Sequence, residues 1–145
     1  MIELYLLRHG EAEPRATHDS QRRLTPHGQA EVLAAAEHLP AQLDVLLHSP
    51  YLRTHESALQ VLKQRSASTV QVADWLTPEA PVDMALEQLS QYSGSVLLVT
   101  HNPLVSYLAA RLSGQSVNQT SFGTGSLAHL QGDDVLPANL SFAWL

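Results

Sequence analysis

Short apolar runs alternate with amphipathic stretches along the whole chain, and this alternation restricts the possible folds more than any other feature. Three runs, at residues 2–7, 44–48 and 95–100, are almost continuously apolar, and residues 70–73 form a weaker fourth. Short continuous runs of this kind are typical of strands buried on both faces of a parallel sheet. The alternation therefore predicts an α/β architecture.

Helices are expected between these runs, at residues 26–39, 50–64, 83–92 and 103–112. Three of them share one start signal, a capping side chain followed by proline: Thr25-Pro26, Ser49-Pro50 and Asn102-Pro103. Such pairs are typical of helix N-termini, because the side chain satisfies free N–H groups and proline suits the first helical position.

The C-terminal part has a different pattern. Residues 126–130 and 139–144 alternate apolar and polar side chains on either side of Gly132-Asp133-Asp134. This pattern predicts two half-exposed strands joined by a turn. We therefore expect one domain over residues 1–145, with three αβα layers and a mostly parallel central sheet that gains an antiparallel strand from the C-terminal part.

Composition excludes several classes of function. The chain of 145 residues has a net charge of −6, which argues against a nucleic-acid surface. No apolar run approaches the ~20 residues that a membrane span needs, and the first residues do not resemble a signal peptide. There is no cysteine, so disulfides, thiolate catalysis and cysteine zinc sites are excluded. We expect a cytoplasmic monomer.

Polar segments follow directly after each of the three clear apolar runs. They are Arg8-His9-Gly10, the run from Ser49 to Arg53, and His101-Asn102-Pro103. If the strands are parallel, these segments meet at one edge of the sheet, where open α/β sheets bind their ligands. Two of the segments also lead into helix N-termini, which favour anions. The sequence thus predicts an anion site with two histidines and at least two arginines.

This set of residues suits phosphoryl transfer. Neutral imidazole can attack phosphorus, and nearby positive charge from Arg8 and Arg53 would keep His9 unprotonated. The same guanidinium groups can hold the phosphoryl oxygens without a metal ion. His101 can donate a hydrogen bond to one of those oxygens, and Gly10 lets the backbone approach the phosphate closely. A metal site built on the two histidines is disfavoured, because the arginines would repel a cation.

Three motifs in order resemble those of the histidine phosphatase (phosphoglycerate mutase-like) superfamily. They are Leu7-Arg8-His9-Gly10-Glu11, Ser49-Pro50-Tyr51-Leu52-Arg53-Thr54 and Thr100-His101-Asn102-Pro103. The resemblance implies that His9 is the nucleophile, that Arg8 and Arg53 bind phosphate, and that His101 is the second histidine. It extends from residue 2 to about residue 130.

The SixA-type branch of that superfamily is a closer match, through the run from Asp19 to Thr25 and through Leu76-Thr77-Pro78. This resemblance implies that an arginine reaches the phosphate pocket, with Arg22 the better positional match and Arg23 its rival. It also implies a phosphohistidine phosphatase that needs no cofactor. Its partner would be a phosphorylated histidine-phosphotransfer domain or a similar carrier protein.

The general acid and the exact function stay open at this level. A general acid could be Glu79 or Asp83, or none could be needed, because imidazole is a good leaving group near neutral pH. Loops between elements look short, so we expect no large lid over a small metabolite. The alternative functions are a small-molecule phosphomonoesterase on the same fold and a phosphate-binding module without turnover.

Overall fold

The computed structural model describes residues 1–145, and a six-stranded sheet forms its middle layer. The strands are β1 (Ile2–Arg8), β2 (Gln42–His48), β3 (Ser66–Val72), β4 (Gly94–Thr100), β5 (Leu127–Gly132) and β6 (Ser141–Trp144). Their order across the sheet is β3-β2-β4-β1-β5-β6. The first four strands in this row are parallel, whereas β5 is antiparallel to β1 and β6 to β5. The predicted sheet is confirmed, with two antiparallel C-terminal strands.

Helices cover both faces of the sheet. They are α1 (Pro26–Ala36), α2 (Leu52–Val61), α3 (Val82–Leu89) and α4 (Leu104–Ser113), with single 3₁₀ turns at Asp19–Gln21 and Asp74–Leu76. None of the helices has both the length and the apolar character required to cross a membrane.

Alternation along β1 shows why three layers form. Leu4 and Leu6 belong to the core that includes α3 and α4, whereas Tyr5 and Leu7 belong to the core that includes α1 and α2. Successive side chains of a strand point to opposite faces, so a strand that is apolar throughout needs a cover on both sides. The predicted three-layer αβα domain is confirmed.

The register of the central strands brings their carboxyl ends level. Arg8 at the end of β1 pairs with Thr100 at the end of β4, and His48 at the end of β2 pairs with Val99. The polar segments that follow these three strands therefore lie at the same edge of the sheet.

Strand β3 is longer than the predicted residues 70–73. It pairs with β2 from Gln42↔Ser66 to His48↔Val72, and most of its side chains are exposed. An edge strand is held by backbone hydrogen bonds along one side and has little core to fill. The apolar pattern that marks the buried strands is therefore missing from its first half.

Two of the three predicted helix starts are wrong. Thr25 caps α1 by accepting a hydrogen bond from the Gly28 amide, as expected, but α2 begins at Leu52 and α4 at Leu104 with no side-chain cap. The side chains of Ser49 and Asn102 bond elsewhere. Ser49 Oγ contacts His101, and Asn102 bonds to Ser106 and to the Phe122 carbonyl. Ser49 Oγ also accepts from the Tyr51 amide just before α2, but neither side chain caps the first turn of its helix, and both connect segments at the sheet edge.

The connection from β1 to α1 also differs from the expected short loops, because it occupies all of residues 9–25. It contains the 3₁₀ turn Asp19–Gln21 and is tied to α2 by a hydrogen bond from the Leu24 amide to the Glu56 carboxylate. This long, mostly exposed connection lies against the edge where the strand ends meet.

Candidate active site

His9 follows β1 directly, and its two ring nitrogens have different partners. Nδ1 lies 2.7 Å from the carbonyl oxygen of Gly10. Because a carbonyl can only accept, Nδ1 carries the proton and Nε2 keeps its lone pair. The Nε–H of Arg53 points at Nε2 from 3.3 Å. The lone pair that could attack phosphorus therefore faces the guanidinium group.

The surroundings of His9 keep the imidazole neutral. Burial is the main cause that lowers its pKa, to about 4 from the ordinary 6.5, and the charges of Arg53, Arg8 and Arg22 lower it further. The hydrogen bond to the Gly10 carbonyl opposes this shift. A histidine with this pKa is unprotonated at neutral pH, as a nucleophile must be.

This shift predicts that the His9 ring does not titrate between pH 7 and pH 5. Nitrogen-detected NMR of histidine-labelled protein should place its protonation midpoint near pH 4, whereas the histidine of a short peptide titrates at about pH 6.5. A His9 midpoint at about pH 6.5 would contradict the assignment. In the unfolded chain, His9 binds a proton at a higher pH than it does in the folded protein. Protonation of His9 therefore lowers the free energy of unfolding as the pH falls from about 6.5 towards 4.

Arg53 lies in the first turn of α2, and its side chain reaches back under the site. Only 5% of the residue is exposed. Its Nη1 donates to the Asp19 carbonyl oxygen at 2.8 Å, and its Nη2 donates to the Asp19 carboxylate at 3.1 Å. The guanidinium carbon also lies 5.0 Å from the centre of the Tyr51 ring. These contacts fix the planar group beside His9.

Arg8, the last residue of β1, has a donor to spare. Its Nη1 donates to the Phe122 carbonyl at 3.1 Å, while its Nε is buried and has no hydrogen-bond partner. Burial lowers its pKa, with the Arg53 charge acting in the same direction and the Glu31 carboxylate against it. A desolvated cation with an unpaired N–H is a strong attractor for an anion.

His101, directly after β4, is the second histidine of the site and is only 1% exposed. Its ring lies edge-on to His9, with 5.1 Å between the centroids, and edge-on to Tyr51 at 5.0 Å. Its Nε2 lies 2.8 Å from Ser49 Oγ, and its buried Nδ1 has no partner. Burial first, and then the neighbouring His9 and arginines, lower its pKa to about 2, so the ring is neutral.

Arg22, and not its neighbour Arg23, faces the site. Its Nη1 donates to the Asp19 carboxylate at 3.1 Å, and its charge contributes to the lowered pKa of His9. The Arg23 side chain is exposed, and the backbone carbonyl of Arg23 accepts a hydrogen bond from the Glu13 amide. Of the two arginines between which the sequence left the choice open, Arg22 is the one whose side chain contacts a site residue, and its role in phosphate binding stays a prediction.

Gly10 has a packing role that the sequence did not suggest. A Cβ at this position would collide with the backbone carbonyl of Gly28 in α1. The Gly10 amide donates to Ser57 Oγ at 3.1 Å, and its carbonyl accepts from His9. The missing side chain lets the segment lie directly on the start of α1, which sets the direction of the His9 ring.

Several residues of the site were missed in the sequence. Asp19 joins Arg22 to Arg53, Ser49 contacts His101, and the Phe122 carbonyl accepts from Arg8 and from Asn102. A charged residue in the segment before the first helix was a signal for Asp19. Phe122 has no such signal, because it acts through its backbone from a segment far along the chain.

Neither of the two carboxylates considered as proton donors, those of Asp83 and Glu79, forms a hydrogen bond with a residue of the site. Asp83 forms an ion pair with Arg111 of α4 at 2.7 Å, and the exposed Glu79 makes no hydrogen bond to a site residue. Asp19 touches the site, but the Arg22 hydrogen bond lowers the pKa of its carboxyl group, so it is ionised at neutral pH. No group of three or more histidine, aspartate or glutamate side chains is placed to hold a metal ion.

Together these side chains form an anion site beside a neutral imidazole. Three guanidinium groups lie close to His9, and two buried nitrogens, Arg8 Nε and His101 Nδ1, have no partner. Buried polar groups are nearly always paired in folded proteins. The other two unpaired buried atoms, Gln60 Oε1 and His129 Nε2, belong to residues outside this group, and the two site nitrogens are available to a ligand. A tetrahedral oxyanion with several acceptor oxygens fits them.

Comparisons with known proteins agree with this chemistry. Residues 4–77 match the histidine phosphatase superfamily (branch 1). The chain is 30% identical to phosphohistidine phosphatase SixA of Escherichia coli K12, over 99% of this chain and 92% of that protein. It is 29% identical to a phosphohistidine phosphatase SixA homolog of Haemophilus influenzae, over 91% of this chain and 89% of the relative.

A solved structure shows the same fold. The protein histidine phosphatase SixA complexed with tungstate superposes with a TM-score of 0.87 at 29% identity, over 99% of this chain and 95% of that one. The matched family region includes Arg8, His9 and Arg53, which the sheet edge brings together with His101. By its sequence and by its fold, the chain belongs to branch 1 of the histidine phosphatase superfamily.

Proposed function

We propose that this protein removes the phosphoryl group from a phosphorylated histidine on a carrier protein, through a covalent phospho-His9 intermediate. The observation that carries the proposal is the fixed state of His9. Its Nδ1 is held by the Gly10 carbonyl, and its unprotonated Nε2 faces the Arg53 guanidinium group, within the field of Arg8 and Arg22. The relatives named phosphohistidine phosphatase SixA support the choice of a phosphohistidine substrate.

In the first step, Nε2 of His9 attacks phosphorus, so an Nε2–P bond forms as the N–P bond of the substrate breaks. The substrate imidazole leaves as a neutral ring when its other nitrogen carries a proton. Arg8, Arg22 and Arg53 neutralise the charge on the equatorial oxygens. His101 Nδ1 is buried and has no partner, and when it carries the proton, with Ser49 Oγ as the partner of Nε2, it can donate to one oxygen.

In the second step, water attacks phosphorus, the Nε2–P bond breaks, and inorganic phosphate leaves. The scheme uses no cofactor and no strong proton donor. Gly10 contributes to the site indirectly, because its missing side chain lets the segment lie on α1 and its carbonyl holds the His9 ring. We further propose that the protein acts as a cytoplasmic monomer on a histidine-phosphotransfer domain or a similar carrier, without nucleic-acid or membrane contacts.

The proposal is tested by quenching the protein during its reaction with a phosphorylated histidine-phosphotransfer domain. Intact-mass and peptide mass spectrometry under alkaline conditions should find one acid-labile phosphate, on His9. A panel run beside it, with a phosphoserine peptide and small phosphate esters, should show turnover at least about 100-fold slower, because those leaving groups need protonation.

Two results would reject the proposal. Rapid turnover of a small phosphate ester together with slow turnover of the carrier would make the protein a small-molecule phosphomonoesterase. Binding of the phosphorylated carrier with no phosphate on His9 and no phosphate release would leave only a binding module.

A further inference from the structure

Asp19 accepts hydrogen bonds from two arginines of the site, Arg22 and Arg53, and so connects them. Its carboxylate accepts from Arg22 Nη1 through one oxygen and from Arg53 Nη2 through the other, both at 3.1 Å. Its backbone carbonyl accepts from Arg53 Nη1 at 2.8 Å and from the Arg22 amide at 3.2 Å. The single residue Asp19 thus makes four contacts with the two arginines.

Arg22 depends on these contacts for its place. It belongs to the long, mostly exposed connection of residues 9–25 and directly follows the single 3₁₀ turn Asp19–Gln21, outside the α-helices and strands of the sheet. The other hydrogen bond of its side chain goes to the Glu13 carbonyl in the same connection. Asp19 is therefore what ties the Arg22 guanidinium to Arg53, which is itself buried in α2 beside His9.

The contacts of Asp19 orient the two guanidinium groups and contribute little to the stability of the fold. The Asp19 side chain is 59% exposed, and exposed ion pairs contribute little to folding because water and salt screen them. Two guanidinium groups that converge on one anion repel each other while the site is free. A carboxylate between them offsets that repulsion and keeps both planar groups aligned.

We propose that Asp19 is a positioning residue that holds Arg22 and Arg53 in the arrangement that binds a tetrahedral oxyanion. It does not touch the reacting atoms. Its effect on turnover rests on the phosphatase function proposed above, but its effect on oxyanion binding does not. The opposite possibility is that its carboxylate competes with the oxyanion for the same donors.

Tungstate, the oxyanion present in the SixA structure, is the probe. Its affinity for the wild type and for Asp19→Ala, Asp19→Asn and Asp19→Glu is measured by isothermal titration calorimetry. We expect Asp19→Ala to weaken binding about tenfold or more, which corresponds to the loss of charge-assisted alignment. Asp19→Asn should be intermediate, and Asp19→Glu should restore part of the affinity.

A double-mutant cycle identifies the route of the effect. In an Arg22→Ala background, the loss caused by Asp19→Ala should shrink to about threefold or less, because only the contact with Arg53 remains. Asp83→Ala is the matched control, since Asp83 is an exposed aspartate paired with Arg111 away from the strand-end edge. It should leave the tungstate affinity unchanged, and the melting temperatures of both single variants should stay close to that of the wild type.

Unchanged tungstate affinity in Asp19→Ala would overturn the proposal, and tighter binding would replace it with competition by the carboxylate. Equal losses with and without Arg22 would also overturn it, because Asp19 would then not act through that arginine. With the phosphorylated carrier, kcat/KM of Asp19→Ala should fall in parallel with the tungstate affinity, and Asp19→Glu should recover part of it. A wild type that binds tungstate but never carries phosphate on His9 would defeat the phosphatase proposal alone.

Discussion

Replacing His9 with alanine is expected to reduce release of phosphate from a phosphorylated carrier by about 10⁴-fold or more, because the change removes the proposed nucleophile. The variant should carry no acid-labile phosphate after reaction. Turnover is measured as phosphate release under single-turnover conditions, and the phosphoenzyme by mass spectrometry. Normal turnover in this variant would rule out a mechanism through a phospho-His9 intermediate.

His48 offers a closely matched control. Like His9, it is 5% exposed and follows the same pattern of contacts, with Nδ1 2.8 Å from the carbonyl of the next residue, Ser49. Burial is the main cause that lowers its pKa, as for His9. His48→Ala should destabilise the fold about as much as His9→Ala does, because a similar ring is removed. It should keep turnover within a few fold, so the comparison separates loss of the nucleophile from loss of packing.

Replacing Arg53 with alanine is expected to reduce kcat/KM by about 10²–10³-fold, because it removes a fixed cation from the oxyanion and frees the Asp19 carboxylate. Arg53→Lys should recover only a small part of the activity, since one ammonium group cannot reach His9 Nε2, the Asp19 carbonyl oxygen and the Asp19 carboxylate at once. The rates are measured with the phosphorylated carrier, and oxyanion binding with tungstate. A lysine variant with full activity would show that charge alone suffices and that the planar geometry is unimportant.

Arg65 is the control for this change. It is a partly buried arginine whose guanidinium group donates to three backbone carbonyls, those of Glu37, Leu39 and Gln64, at a distance from the strand-end edge. Arg65→Ala should lower the melting temperature and leave kcat/KM within a few fold of the wild type. If both arginine variants lost activity equally, a general loss of folded protein would explain the Arg53 result.

The burial of both histidines adds a constraint on how the site works. His9 and His101 are neutral because burial, more than any neighbouring charge, lowers their pKa values to about 4 and about 2. A phosphoryl dianion that enters the site brings negative charge and compensates the three arginines. The arginines of the free site therefore favour an anion, whose negative charge balances their positive charge.

Most of the fold could be predicted from the sequence, because its central strands are apolar on both faces. A strand such as β1 can only be buried under two helical layers, and this requirement decides the layer order. The predictions failed in segments whose side chains are mostly exposed. Strand β3 lies at the sheet edge with exposed side chains, and the long connection of residues 9–25 has no periodic pattern to read.

Ser49 and Asn102 show a second kind of failure. Both precede proline, and a local pattern cannot distinguish a helix cap from a side chain used in tertiary contacts. Ser49 Oγ bonds to His101, and the Asn102 amide bonds to Phe122, each far away along the chain. Ser49 Oγ also accepts from the nearby Tyr51 amide, so only the folded chain shows which local and distant partners such a side chain has.

The sequence by itself determined the layered fold, the three strand-end segments and the residues Arg8, His9, Arg53 and His101, because buried strands and short motifs are local in the chain. Only the tertiary structure decided the tautomer of His9, the choice of Arg22 over Arg23 and the bridging place of Asp19. These depend on distances between groups from separate elements, such as 3.3 Å from Arg53 to His9. Hydrogen bonding and charge act over a few ångströms in space, whatever the separation along the chain.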